Sequence, residues 1–136
     1  MIETHRSLHH LALGSTDVER LAAFYRDVVG LSELARHLDS EGALRSIWLN
    51  LGGPILMIER TDAPPRRVEV IGSGPFLLAF AVSPAERLEL EAALVASGQP
   101  IESRTAFTSY GRDVDGNRIA FSHYPDAGVT VRDTPA

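Results

Sequence analysis

The chain contains no cysteine, which excludes disulfide bonds, thiolate metal sites and cysteine nucleophiles. It also lacks any apolar run near the ~20 residues that a membrane-spanning helix requires. The opening residues, MIETHRSLHH, have no apolar stretch of the kind found in secretory signals. The net charge of −5 at pH 7 is spread over mixed signs, and no basic stripe indicates nucleic-acid binding. These absences predict a cytoplasmic protein that binds neither membranes nor nucleic acids.

What the chain does contain is an internal repeat. LALGSTDVERL at 11–21 aligns with LAFAVSPAERL at 78–88, at an offset of 67 residues. Each copy carries a helix-start motif, since Thr16 with Glu19, and Ser83 with Glu86, both have capping-box spacing. Pro84 falls at the first helical position, where its missing N–H costs nothing. Both copies therefore predict a strand that leads into a capped helix.

Each predicted helix is amphipathic and ends at a glycine. The first is predicted to end at Gly30 and to bury Val18, Leu21, Ala22, Tyr25, Val28 and Val29. The second is predicted to end at Gly98 and to bury Leu88, Ala92 and Val95. Three strand-like segments follow each helix, at 31–38, 44–51 and 54–59, and again at 100–107, 110–114 and 117–124. Hairpin turns are predicted at Gly52-Gly53 and at Asp115-Gly116.

This order of elements predicts an α+β fold made of two βαβββ modules. The 136 residues suit one domain, with a first module at 7–60, a linker at 61–74, a second module at 75–125 and a tail at 126–136. The linker is rich in proline, arginine and glycine, which is typical of a connection between modules.

Two stretches resemble a known family. HHLALGSTDVERLAAFYRDVVGL resembles the opening strand and helix of the vicinal oxygen chelate superfamily, and DVDGNRIAF is similar to its closing hairpin. The superfamily includes glyoxalase I, extradiol dioxygenases, and the fosfomycin and bleomycin resistance proteins. The resemblance covers about 7–125. It implies that each module forms a half-barrel sheet with helices on the convex face, that the modules enclose a cavity, and that the protein is a homodimer.

The resemblance also implies where a metal would bind. Its four ligand positions fall on His10, Met57, Leu77 and Ala120. Divalent metals need about three protein ligands, so the usual site is not expected and no cofactor is predicted. The alternative is a shifted ligand set, made of His10 and Glu59, that would still bind a divalent metal. His123 lies at an odd offset from Ala120 and is expected to face the other side of its strand.

Strand alternation then predicts a mainly apolar cavity with few polar groups. His5 and His37 fall in segments expected to be exposed, and His9 is assigned no role. The third strand contributes either Trp48 or Ile47. The predicted ligand-binding residues are His10, Trp48, Ile55, Met57, Glu59, Leu77, Ala79, Tyr110, Arg112, Ala120 and Ser122.

Three functions are compatible with this site. The first is a protein of the bleomycin-resistance type that binds a small, largely apolar or aromatic molecule without metal. The second is a metal-independent lyase or isomerase that uses His10 as general base, assisted by Glu59 or Tyr110. The third is a metal enzyme, such as a dioxygenase-like member, that uses the shifted His10 and Glu59 set.

Overall fold

The computed structural model describes residues 4–64, 66–69 and 76–127. The chain divides into two units, Met1–Pro65 and Arg66–Ala136. Within the described residues no helix is both long and apolar enough to cross a membrane.

The first unit is one four-stranded sheet covered by one helix. Its elements, in chain order, are β1 (His10–Ser15), α1 (Val18–Phe24) continued by a π-helical segment (Tyr25–Val29), β2 (Glu33–Leu38), β3 (Leu44–Asn50) and β4 (Ile55–Arg60). The strand order is β1-β4-β3-β2. β1 runs parallel to β4, and the other pairs are antiparallel.

The second unit repeats this plan. Its elements are β5 (Leu78–Ala81), α2 (Pro84–Ala96), β6 (Ser103–Arg104), β7 (Thr108–Arg112) and β8 (Arg118–Ser122). The strand order is β5-β8-β7-β6, again with its outer parallel pair, β5 with β8. The predicted α+β class and the βαβββ order of both modules are confirmed.

The first helix begins one residue later than its motif predicts. Asp17, not Thr16, is the cap, because its carboxylate accepts from the Arg20 N–H at 3.1 Å. β1 continues to Ser15, whose hydroxyl accepts from the Asp17 N–H at 3.0 Å, and this contact favours Asp17 as the cap. The predicted end is confirmed, since Gly30 has φ of 91° and its N–H reaches the Tyr25 carbonyl.

The core of the first unit lies between this helix and its sheet. The predicted helix face is buried at four of its six positions, and Phe24 joins it. The sheet residues that pack against the helix occupy every second position along their strands, as the strand period of two requires. They are Leu13, Ile47, Leu49, Leu56 and Ile58.

The second helix starts as predicted but buries a different face. Ser83, Glu86 and Pro84 form the predicted cap. However, Leu88 is 69% exposed and Val95 57%, so the predicted buried stripe is wrong.

The buried face of α2 is set by β7. Leu94 is 1% exposed and lies over Gly111, where a Cβ would come within 2.7 Å of its Cδ2. Two turns away, Arg87 Nε donates to the Ser109 hydroxyl at 2.7 Å, and that hydroxyl donates to Glu91. The helix is therefore anchored by one leucine in a glycine hollow and by a polar cluster beside it.

The strand predicted at 100–107 is much shorter than expected. β6 has two residues, because the Thr105 hydroxyl accepts from the N–H groups of Phe107 and Thr108 and turns the chain. Residues 65 and 70–74 of the predicted linker, and 128–136 of the predicted tail, lie outside the described residues.

Candidate functional site

The first sheet has one face against α1 and one open face. On β1, Leu13 and Ser15 are buried on the helix side, whereas His10 and Ala12 are exposed on the other. Along β4 the same alternation places Ile55, Met57 and Glu59 on the open face. Trp48 lies there too, because it pairs with Met57, whereas Ile47 pairs with the buried Ile58. The structure thus settles the choice that strand alternation left open.

Strand pairing arranges this open face in rows. One row crosses the sheet through Ala12, Met57, Trp48 and Ala35. Its centre is a thioether beside an indole, which makes a flat apolar platform. Small alanines at both ends leave the platform accessible. Five of the predicted ligand-binding residues share this face, namely His10, Trp48, Ile55, Met57 and Glu59.

The next row is polar and was largely missed by sequence reasoning. It runs through His37, Ser46 and Glu59, which pair in that order. Trp48 Nε1 donates to Glu59 Oε2 at 3.2 Å, and the Trp48 and His37 rings lie 4.4 Å apart between centroids. His37 is half-buried in β2, so its predicted exposed segment is wrong. Only the register of β2 with β3 brings His37 to the site, and no local pattern signals it.

His10 lies at the end of this face, next to His9. The Nδ1 atoms of the two rings are 2.9 Å apart, so one ring donates a hydrogen bond and the other accepts it. His10 is level with Ile55, whereas Glu59 is level with Gly14. Four residues of strand, about 13 Å, therefore separate His10 from Glu59. The structure does not bring these two side chains together.

The predicted residues of the second unit fall on the corresponding face of its own sheet. Ala79, Ala120 and Tyr110 form one row, and Ser122 pairs with Ala81 and Thr108 in the next. Ser122 accepts a hydrogen bond from the Thr108 hydroxyl at 2.8 Å. Leu77 directly precedes β5 and is half-buried.

Arg112 is buried within the second unit, and other residues of that unit accept its hydrogen bonds. Its side chain is 1% exposed and donates to the Glu102 carboxylate at 3.0 Å and to the carbonyls of Gly116 and Glu69, each at 3.1 Å. These contacts account for the guanidinium in the interior of the unit.

His123 lies on the helix side of the second sheet, as its offset predicts. Arg87 donates to its Nε2 at 3.0 Å, so the proton of the neutral ring is on Nδ1, which donates to the Asp126 carbonyl at 2.6 Å. Both ring nitrogens are engaged. Nothing in this arrangement favours His123 as a metal ligand.

Four charged side chains of the first unit form a network on its helix side. Arg36 contacts Glu19 at 2.7 Å and Glu33 at 2.6 Å, and Arg26 bridges the same two carboxylates. Hydrogen bonds from Arg36 and then Arg26 lower the pKa of Glu19 to about 2. Hydrogen bonding to Arg36 also lowers the pKa of Glu33. Glu59 is the acidic group that remains on the open face of the described first sheet.

The donor set does not fit a divalent metal. The four positions that the resemblance marks supply one imidazole, one thioether and two alkyl groups. Thioether sulfur suits soft ions such as Cu(I) and not Zn²⁺ or Mn²⁺. Among residues 4–64, 66–69 and 76–127, no group of three His, Asp or Glu side chains is placed to hold an ion.

Comparison with known proteins relates this arrangement to a family. A family model described as the Glyoxalase/Bleomycin resistance protein/Dioxygenase superfamily matches residues 7–121. A search of curated proteins returned no significant match.

Solved structures of similar fold include a complex with Mn(II) and a lyase. The fosfomycin resistance protein FosX from Listeria monocytogenes, in a complex with Mn(II) and 1S,2S-dihydroxypropylphosphonic acid, is 19% identical; the match covers 96% of this chain and 98% of that one, with a TM-score of 0.71. FosX from Mesorhizobium loti is 14% identical over 96% and 97% of the two chains, with a TM-score of 0.70. Lactoylglutathione lyase from Agrobacterium tumefaciens is 23% identical over 88% and 95%, with a TM-score of 0.60. These low identities show a shared fold and no more.

Proposed function

Because the chain belongs to the glyoxalase/bleomycin resistance protein/dioxygenase superfamily, we propose that it binds a small, largely apolar or aromatic molecule, and that it does so without the divalent metal of its relatives. The observation that carries this proposal is the row through Met57 and Trp48. A thioether and an indole occupy the sheet centre, where the resemblance marks a metal ligand at Met57.

The chemistry of this face suits such a ligand. Small-molecule sites are mainly apolar, with a few polar groups that orient the ligand. Met57 is flexible and polarisable and adapts to planar rings, and Trp48 offers a stacking surface. On the other sheet Ala79 is exposed, whereas its strand partner Ala120 is fully buried. The cavity between the modules, implied by the resemblance, stays a prediction.

Binding is tested directly by equilibrium dialysis of naphthalene against the full chain. Met57→Lys places an ammonium group on the platform and should lower the affinity at least tenfold, because burying it beside an apolar ligand is unfavourable. Leu34→Lys is the matched control, since Leu34 is 52% exposed on the edge strand of the same sheet. Equal affinities for both variants and the original chain would contradict the proposal.

Metal independence is tested on the same protein. Metal content after purification without chelator should be far below one ion per chain. Melting temperatures should be unchanged by EDTA or by added Zn²⁺, Ni²⁺, Mn²⁺ or Fe²⁺. A stoichiometric ion, or a melt several degrees higher with one ion, would show that ligands other than those considered above hold a metal.

A second function rests on the hydrogen-bonded pair of His9 and His10. Two imidazoles with Nδ1 atoms 2.9 Å apart can pass a proton, which a metal-independent lyase or isomerase with His10 as base would use. His10→Gln separates the two functions, because a binding protein has no turnover to lose. Cytoplasmic location and a homodimer also stay predictions, and sedimentation equilibrium checks the latter.

A further inference from the structure

Two buried polar atoms on the open face of the first sheet have no protein partner. Ser46 Oγ and His37 Nε2 are both inaccessible to solvent and make no hydrogen bond among the described residues. Buried polar atoms are nearly always paired, and an unpaired one destabilises the folded chain. Ser46 and His37 are direct cross-strand partners, so the two atoms belong to one place on the sheet.

Trp48 covers this place. Ser46 is 1% exposed although it lies on the open face. Its cross-strand neighbours on either side, Glu59 and His37, both contact Trp48, one through the indole N–H and the other through its ring. The indole therefore extends across Ser46. Its contacts with Glu59 and His37 are made by side chains, so a rotation of χ1 or χ2 of Trp48 would uncover Ser46 and leave the strand ladder intact.

We infer that His37 and Ser46 form a polar subsite beneath Trp48 that takes one hydroxyl group of the bound molecule. This inference rests on the proposed function, and it narrows the ligand class from apolar or aromatic molecules to those that carry a hydroxyl on an apolar ring. A hydroxyl both donates and accepts, so it satisfies an imidazole nitrogen in either tautomer and a serine hydroxyl in either orientation.

The surrounding groups favour this ligand class over an anion or a bare hydrocarbon. The Glu59 carboxylate stands on the other side of Ser46 and would repel a carboxylate or phosphate brought to the same row. Met57, next to Trp48 in the neighbouring row, supplies the apolar contact for the ring. A hydrocarbon would leave both buried polar atoms unpaired.

The chain offers a direct reporter, because Trp48 is its only tryptophan. The probes are phenol and toluene, which share a ring and differ by hydroxyl against methyl. Each is titrated while Trp48 fluorescence is excited at the red edge of its absorption, where neither probe absorbs. The quantity measured is the ratio of the two dissociation constants, toluene over phenol.

Ser46→Ala and His37→Phe should each lower this ratio about tenfold, the value of one good hydrogen bond, with the toluene affinity unchanged. His37→Phe keeps a ring against Trp48. Ser15→Ala is the control, since Ser15 is a buried serine of the same sheet whose hydroxyl bonds the Asp17 N–H on the helix side. It should leave the ratio unchanged.

The outcomes separate this inference from the proposed function. If both probes bind and neither variant changes the ratio, the hydroxyl subsite is wrong and the apolar site stands. If neither probe alters Trp48 emission in the original chain up to the solubility limit, both proposals fail. Unfolding in urea gives an independent measurement: Ser46→Ala should not lower stability, since it breaks no hydrogen bond, whereas Ser15→Ala should.

Discussion

Leu94 and Leu88 lie on one helix and should differ sharply when each is replaced by alanine. Leu94 is 1% exposed and Leu88 69%. Replacing a buried leucine by alanine lowers the free energy of unfolding by about 2–5 kcal/mol. The loss has two parts, the burial of the removed apolar atoms and the cavity that they leave. Leu88→Ala removes little buried surface and gains slightly in helix propensity, so its change should lie within about 0.5 kcal/mol of zero.

Gly111 sharpens the same test. A Cβ there would lie 2.7 Å from Leu94 Cδ2 and 3.3 Å from the Pro100 carbonyl oxygen. Gly111→Ala should therefore cost about 1–3 kcal/mol through overpacking. In the Leu94→Ala background this cost should largely disappear, because the clashing methyl is gone. Gly14→Ala is a control, since its Cβ would meet a Thr61 methyl at 3.2 Å, and that side chain can rotate.

The assay is urea unfolding followed by far-ultraviolet circular dichroism, with all variants measured at one pH and one protein concentration. The free energy of unfolding is extrapolated to water, and the double-mutant cycle gives the coupling between Leu94 and Gly111. Equal costs for Leu88→Ala and Leu94→Ala, or additive costs for Gly111→Ala and Leu94→Ala, would refute the packing described for α2.

Three further predictions concern caps, charge and metal. Because Asp17 is the cap, Asp17→Ala should lower the free energy of unfolding in urea by about 1 kcal/mol, and Thr16→Ala should lower it by much less. The reverse order would show that Thr16 is the cap. Since Arg36 and Arg26 hold the pKa of Glu19 near 2, below its ordinary 4.5, its contribution is present above pH 4.5 and is lost as the pH falls through about 2. Glu19→Gln should thus cost up to about 1 kcal/mol at pH 7, after allowance for its exposure, and clearly less at pH 2, where about half of the Glu19 carboxyl is protonated; a penalty independent of pH in urea titrations would contradict this. Met57→Ala should change neither the metal content, measured by mass spectrometry, nor the melting temperature in the presence of EDTA. Loss of a bound ion in this variant would identify Met57 as a ligand.

Local chemistry made much of the fold predictable. The Ser83 and Glu86 box, Pro84 at the first turn and Gly30 at the helix end act through neighbouring backbone atoms, so they read correctly from a single stretch of chain. The alternation of β4 likewise placed Met57 and Glu59 on one face. The end of β1 was less predictable, because Ser15, Thr16 and Asp17 are all capable caps and the choice depends on how far the strand pairs.

Predictions from the sequence were wrong at positions whose burial depends on contacts between residues distant along the chain. The stripe through Leu88 and Val95 is more apolar than the buried face, and nothing within α2 shows that Gly111, on a later strand, provides the hollow for Leu94. Likewise His37 reads as a histidine in a polar segment until the register of β2 with β3 brings it beside Trp48 and Ser46.

The sequence alone was enough to predict the two βαβββ modules, the helix caps to within one residue, and the open face of β4, because these follow from covalent geometry and from hydrogen bonds between near neighbours. It also determined that apolar side chains stand at Met57, Leu77 and Ala120. The folded chain was needed to show which stripe of α2 is buried, that His10 and Glu59 lie far apart, and that His37, Ser46 and Glu59 form one row. The reason is physical: these arrangements depend on strand register and on the shape of a facing surface, which are set by residues distant along the chain.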